Sequence, residues 1–139
     1  MTTHRWIELE RPETGVFVAR NARGGEIRLT AGTDDATFTP VELFLAAIGS
    51  CTAADVDAIT GRRAQPEEFR VRVDAHKDRD DSGNFMRDIV VTFEARFPPG
   101  PDGDAAREAL PRAVEVSHDR SCTVSRTVRA GTPVDARIV

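Results

Sequence analysis

Between Thr39 and Arg62 the chain carries a segment that reads as one long central helix. Thr39 is a favourable N-cap, Pro40 suits the first helical position, and Glu42 three residues after Thr39 completes a capping box. Every residue from Leu43 to Ile48 is apolar, so this part of the helix has no polar face to turn to water and calls for enclosure. Gly61 marks the stop. About 21 helical residues at roughly 1.5 Å each give a rod of about 30 Å, with Cys51 near its middle.

The flanks supply the sheets that would enclose it. Arg5 to Glu10 alternates weakly, and Gly15 to Arg20, a turn at Asn21 to Gly25, and Glu26 to Thr30 continue an antiparallel meander. Ala31 to Phe38 is a polar loop leading to the helix. After it, Phe69, Val71, Val73 and Ala75 share one face of a strand. Asp78 to Gly83 turns, and Phe85, Arg87, Ile89, Val91, Phe93, Ala95 and Phe97 alternate along the return strand. Asp104 to His118 has helical spacing, with Pro111 expected to kink or interrupt it. Ser121 to Val128 reads as a short helical turn and Pro133 to Val139 as a closing strand. Strands, long helix, strands, helix and strand make an α+β fold with mainly antiparallel sheets. A helix apolar on all sides beside sheets with single apolar faces predicts that two copies bury their central helices together, a two-fold homodimer.

With 139 residues and 40% hydrophobic content, the chain is expected to form one domain over residues 1–139. A net charge of −4 offers no basic footprint for nucleic acid. The longest apolar run is six residues, with Asp55 and Asp57 close behind, which argues against a membrane span. The first residues lack the apolar core of a secretory signal, so a cytoplasmic location is expected.

Cys51 and Cys122 are the two cysteines, far apart in sequence. As residue types they read first as small buried hydrophobes. A static disulfide is disfavoured in the cytoplasm, a transient one is not. Zinc is weaker: His118 and Cys122 form a lone pair of ligand types at four-residue spacing. His76 and His118 read as surface or structural residues.

Pro40-Val41-Glu42-Leu43-Phe44-Leu45-Ala46-Ala47-Ile48-Gly49-Ser50-Cys51-Thr52 and, downstream, Ser121-Cys122-Thr123-Val124-Ser125 resemble the two signatures of the OsmC/Ohr family of thiol-dependent peroxidases. The resemblance implies an OsmC-like fold, sheets wrapped around the long helices of an intertwined dimer. It also implies a peroxidatic Cys51, a resolving Cys122, organic hydroperoxides as substrates, a dithiol as reductant and no cofactor. In such chemistry the thiolate takes the terminal peroxide oxygen, and the sulfenic acid is trapped as a disulfide before overoxidation. Apolar surroundings raise a thiol's pKa, so a cation is expected beside Cys51.

In the better-characterised peroxidases of the family an Arg and a Glu assist the cysteine, and the Glu follows the motif's proline directly. Val41 stands there in this chain. At ~100° per residue, Glu42 and Cys51 fall on opposite sides of the helix, which makes Glu42 a cap rather than a thiol partner. The chain resembles instead the less characterised branch, with an Asp four residues after the cysteine. That residue, Asp55, shares a face with Cys51 and would disfavour its thiolate unless an arginine balanced it. Arg11, Arg20, Arg23 and Arg126 are the candidates. A different class of function, a binding protein holding a lipophilic molecule in the dimer groove without turnover, competes with the peroxidase and is favoured by Val41.

Overall fold

The computed structural model describes all 139 residues, which divide into two compact units, Met1–Phe44 and Leu45–Val139. The first unit is the expected meander. Strands β1 (Ile7–Glu13), β2 (Val16–Asn21) and β3 (Glu26–Thr30) pair antiparallel in the order β1-β2-β3. Leu29 is its buried anchor, and Phe38 returns beside it through an isolated parallel bridge.

Helix α1 (Pro40–Thr60) begins where the capping box places it. Thr39 N–H donates to Glu42 Oε1 at 2.8 Å, and Glu42 N–H donates to Thr39 Oγ1 at 3.2 Å. The helix stops at Gly61, whose N–H donates to Asp57 O at 2.8 Å. Gly61 serves there by close approach, since a Cβ would lie 2.7 Å from that carbonyl oxygen. Of the apolar run Leu43 to Ile48, only Ile48 is buried within the chain. Although its longest apolar run is six residues, α1 is by length and composition long and apolar enough to cross a bilayer. The core helix of a globular protein passes the same test.

In the second unit β4 (Glu68–Asp80) and β5 (Gly83–Arg96) form a long antiparallel hairpin. Phe69, Val71 and Val73 share its inner face with Val91, Phe93 and Ala95, and Phe69 and Phe93 meet edge to face at 6.3 Å. Gly49 of α1 packs under this face, because a Cβ there would lie 2.7 Å from Val73 Cγ2. The single alternation expected from Phe85 to Phe97 is broken. Asp74 pairs with Val90 but His76 with Arg87, so β5 holds one extra residue, and Asp88 adopts φ 53° at that point. The bulge turns Phe85 and Arg87 to solvent and leaves Met86 half-buried.

Helix α2 (Pro101–Val116) runs through Pro111 without the expected interruption. Pro111 lies on the exposed face, where water can serve the carbonyl that loses its partner. A π-helical turn (Ser117–Ser121) follows, then α3 (Thr123–Arg129), the expected short helix. The closing strand does not form. Pro133 to Val139 has no regular structure and exposes Val134 and Ile138, because alternation alone makes no strand without an edge to pair with.

A dithiol at the first turn of α3

One face of α1 buries Ile48, Thr52 and Val56 at four-residue spacing, and Cys51 lies half-buried beside Thr52. Cys122 is fully buried and caps α3. Helices leave their first N–H groups unpaired, and here a sulfur takes one of them. The Ser125 N–H donates to Cys122 Sγ at 3.4 Å. Ser125 Oγ lies 3.2 Å from Cys122 Sγ, and Thr52 Oγ1 reaches the same sulfur at 3.4 Å while also lying 3.1 Å from Ile48 O. The two thiols are free, and Thr52, the neighbour of Cys51 on α1, bonds the Cys122 sulfur, which brings the pair together. The fold therefore unites the pair that the sequence separates.

Their electrostatic environments differ. Burial pushes the Cys51 thiol above its ordinary pKa, and Cys122 and the Asp55 carboxylate push the same way, against the Val124 N–H. Cys122 is pushed up by burial too. The Ser125 and Thr52 hydroxyls, the Ser125 N–H and the Cys51 thiol outweigh that burial and bring it below the ordinary value. Within this unit the two thiols shift in opposite directions, Cys51 up and Cys122 down, contrary to the expectation that a nearby cation favours the Cys51 thiolate.

The arginine expected beside Asp55 is replaced by a hydroxyl: Ser117 Oγ, fully buried, donates to Asp55 Oδ2 at 2.8 Å. Arg126 is exposed on α3, and its backbone N–H donates to Cys122 O at 3.0 Å. The other candidates have partners inside the first unit. Arg20 is bracketed by Glu10 at 2.7 Å and Glu26 at 2.5 Å, and Arg11 donates to Thr14 Oγ1 at 2.9 Å. Arg23 sits in the β2–β3 turn, its N–H 3.0 Å from Asn21 Oδ1. Glu42 is the helix cap that the helical angle predicts.

Thr52, Ser117, Val124 and Ser125 escaped the sequence reading. Ser125 carried a signal, since position three after a cap is where a cap's partner sits. Ser117 carried none. Thr52 and Ser125 also line a cavity of about 400 Å³ with Ile48, Val91, Phe93 and Arg129, an apolar space beside the hydrogen-bond partners of Cys122.

Comparison with known proteins agrees with this architecture. The family model described as OsmC-like protein matches residues 32–137. An uncharacterised protein of Mycobacterium tuberculosis strain H37Rv is 27% identical over 138 residues, spanning 99% of this chain and 96% of that protein. A hypothetical protein from Aquifex aeolicus superposes with a TM-score of 0.74 at 22% identity, covering 94% of this chain and 91% of that one. The organic hydroperoxide resistance protein OhrB of Bacillus subtilis superposes with a TM-score of 0.54 at 14% identity, covering 89% and 90%. At these identities the solved structures establish a shared fold.

Proposed function

The chain belongs to the OsmC-like family, and from that premise we propose that it is a thiol-dependent peroxidase that reduces organic hydroperoxides to alcohols through Cys51 and Cys122. The observation that carries this reading is the adjacency of the two free thiols at the first turn of α3. Cys51, the more accessible of the two, is the nucleophile. Its sulfur takes the terminal oxygen of ROOH, the O–O bond breaks, and the products are the Cys51 sulfenic acid and ROH. The Cys51 proton passes to the Cys122 thiolate and from there to the departing alkoxide. Cys122 sulfur then attacks the sulfenic sulfur, forming the disulfide and displacing hydroxide, which takes a proton from solvent and leaves as water. An external dithiol restores both thiols by exchange, which suits a cytoplasmic setting. The apolar cavity beside Thr52 and Ser125 offers room for the alkyl or aryl group.

The test is to mix reduced protein with cumene or t-butyl hydroperoxide and follow thiol loss and an intramolecular Cys51–Cys122 link by mass spectrometry. Stoichiometric alcohol with that link is the expected result. Thiols left intact by excess peroxide would overturn it. The raised pKa of Cys51 and the apolar cavity favour a second reading, a lipophilic-ligand carrier. Under that reading a bound ligand is retained with undiminished affinity in Cys51→Ser.

We also infer that residues 1–139 act as one domain within a two-fold dimer. Support comes from α1, whose residues Leu43 to Ala47 stay incompletely covered in the single chain. Light scattering should give twice the 15.2 kDa chain mass at micromolar concentration. A stable species at the single-chain mass would refute the dimer.

A further inference from the structure

Cys122 follows a π-helical turn, a rare geometry in which the chain closes over five residues rather than four. The closing bond runs from Cys122 N–H to Ser117 O at 2.9 Å. His118, Asp119 and Arg120, the body of the turn, are exposed, with Arg129 Nη1 donating to His118 O at 2.8 Å, and its two ends, Ser117 and Cys122, are fully buried. At the Ser117 end the one side-chain bond goes to Asp55, on α1 one helical turn beyond Cys51. One residue thus joins both halves of the dithiol, its backbone carbonyl to Cys122 and its hydroxyl to the helix face that bears Cys51.

We propose that Asp55 is a positioning residue for Cys122: through the buried Ser117 hydroxyl it fixes the π-helical turn against α1, so that the Cys122 sulfur is held opposite Cys51. This rests on the reading of the two cysteines as a working pair and gives the aspartate a task that needs no arginine. A carboxylate suits it because it offers acceptor oxygens only, whereas a second hydroxyl could reverse the bond and rotate away. Thr52 adds a second hold on the same sulfur from the same face of α1. Disulfide closure demands sulfur on sulfur in line, and a displacement of one ångström in such a constellation costs about 10²-fold in rate.

The test uses the full chain and diamide, an azo oxidant that closes dithiols without any peroxide. One thiol adds across its N=N bond, the second displaces that nitrogen to form S–S, and the hydrazine product carries away both protons. Asp55→Ala and Ser117→Ala are each expected to slow closure of the Cys51–Cys122 disulfide by about 10²-fold, so that the diamide adduct on one cysteine accumulates in mass spectra. Asp55→Asn keeps an acceptor oxygen for Ser117 and is expected to close at close to the wild-type rate. Wild-type closure in both alanine variants would overturn the proposal. Asp55→Asn as slow as Asp55→Ala would also overturn it, because charge rather than the hydrogen bond would then be at work. Should Asp55→Ala fail to fold, Ser117→Ala and Asp55→Asn decide by the same criteria. A wild-type protein that closes with diamide yet leaves cumene hydroperoxide unconsumed removes the peroxidase reading and leaves the positioning role intact.

Discussion

Cys122→Ser is expected to slow the first oxidation of Cys51 by cumene hydroperoxide by about 10² to 10⁴-fold in a single turnover, the range that a positioned proton acceptor contributes. The expectation follows from where the charge resides. Burial, Cys122 and Asp55 hold the Cys51 thiol above its ordinary pKa, while hydroxyl and N–H donors bring Cys122 below it despite its burial. Cys122 is therefore the more acidic sulfur as well as the inaccessible one, and in the proposed mechanism Cys51 hands its proton across as it attacks. Serine keeps the size and the hydrogen bonds of Cys122 but cannot hold that charge. A cysteine that merely traps the sulfenic acid would, when removed, leave the first step unchanged and let the sulfinic acid build up. Capturing the sulfenic acid with dimedone at short times separates the two cases, and an unchanged rate of capture would sink the proton-acceptor role.

The pH dependence has a definite sign. In the wild-type protein the oxidation rate should rise as Cys122 ionises, at a pH below that of an ordinary thiol, because the hydrogen bonds favour its charged form. In Cys122→Ser the rise should move above that pH, since burial and the Asp55 carboxylate still disfavour the Cys51 thiolate. Asp55→Asn within the Cys122→Ser background should bring it part of the way back, as one of the charges opposing the thiolate is gone. Thiolate absorbance in the ultraviolet, titrated in each variant, reads the same order without any substrate.

The features that were legible before the structure are those set by nearest neighbours in sequence. The Thr39–Glu42 capping box, the antiparallel meander and the inner face of the hairpin each rest on a local pattern, and each is found. The pairing of Cys51 with Cys122 was legible only through resemblance to a family, since spacing alone could not bring them together. What was missed depends on contacts between distant segments. The bulge at Asp88 shifts register through one left-handed residue, and aspartate there carries no distinctive signal. In the sequence an isolated Asp55 carboxylate suggests an ion pair. A buried serine at the end of α2 satisfies it instead, a contact between segments 62 residues apart. The C-terminal segment shows the reverse failure: its alternation promised a strand, and nothing in the chain pairs with it.

Gly103→Ala is expected to destabilise the fold by about 3 kcal/mol, at the upper end of what overpacking usually costs. Helix propensity alone predicts the opposite sign, a gain of roughly 1 kcal/mol for alanine over glycine in a helix. Close approach decides between them. A Cβ at position 103 would lie 1.7 Å from Pro98 O and 2.8 Å from Pro98 C, and both are backbone atoms that cannot swing aside. Gly103 is buried in the first turn of α2, directly after the Pro98–Gly100 segment that leaves the buried Phe97. Relief therefore requires moving the start of α2 away from the end of β5. Such a shift would travel, because α2 ends at Val116 and its continuation carries Ser117 and Cys122. Equilibrium unfolding in urea, with protein concentration held constant to keep any association out of the comparison, measures the stability change. A variant as stable as the wild type would show that α2 can move at no cost, and the rigid placement of Cys122 opposite Cys51 would then lose one of its supports.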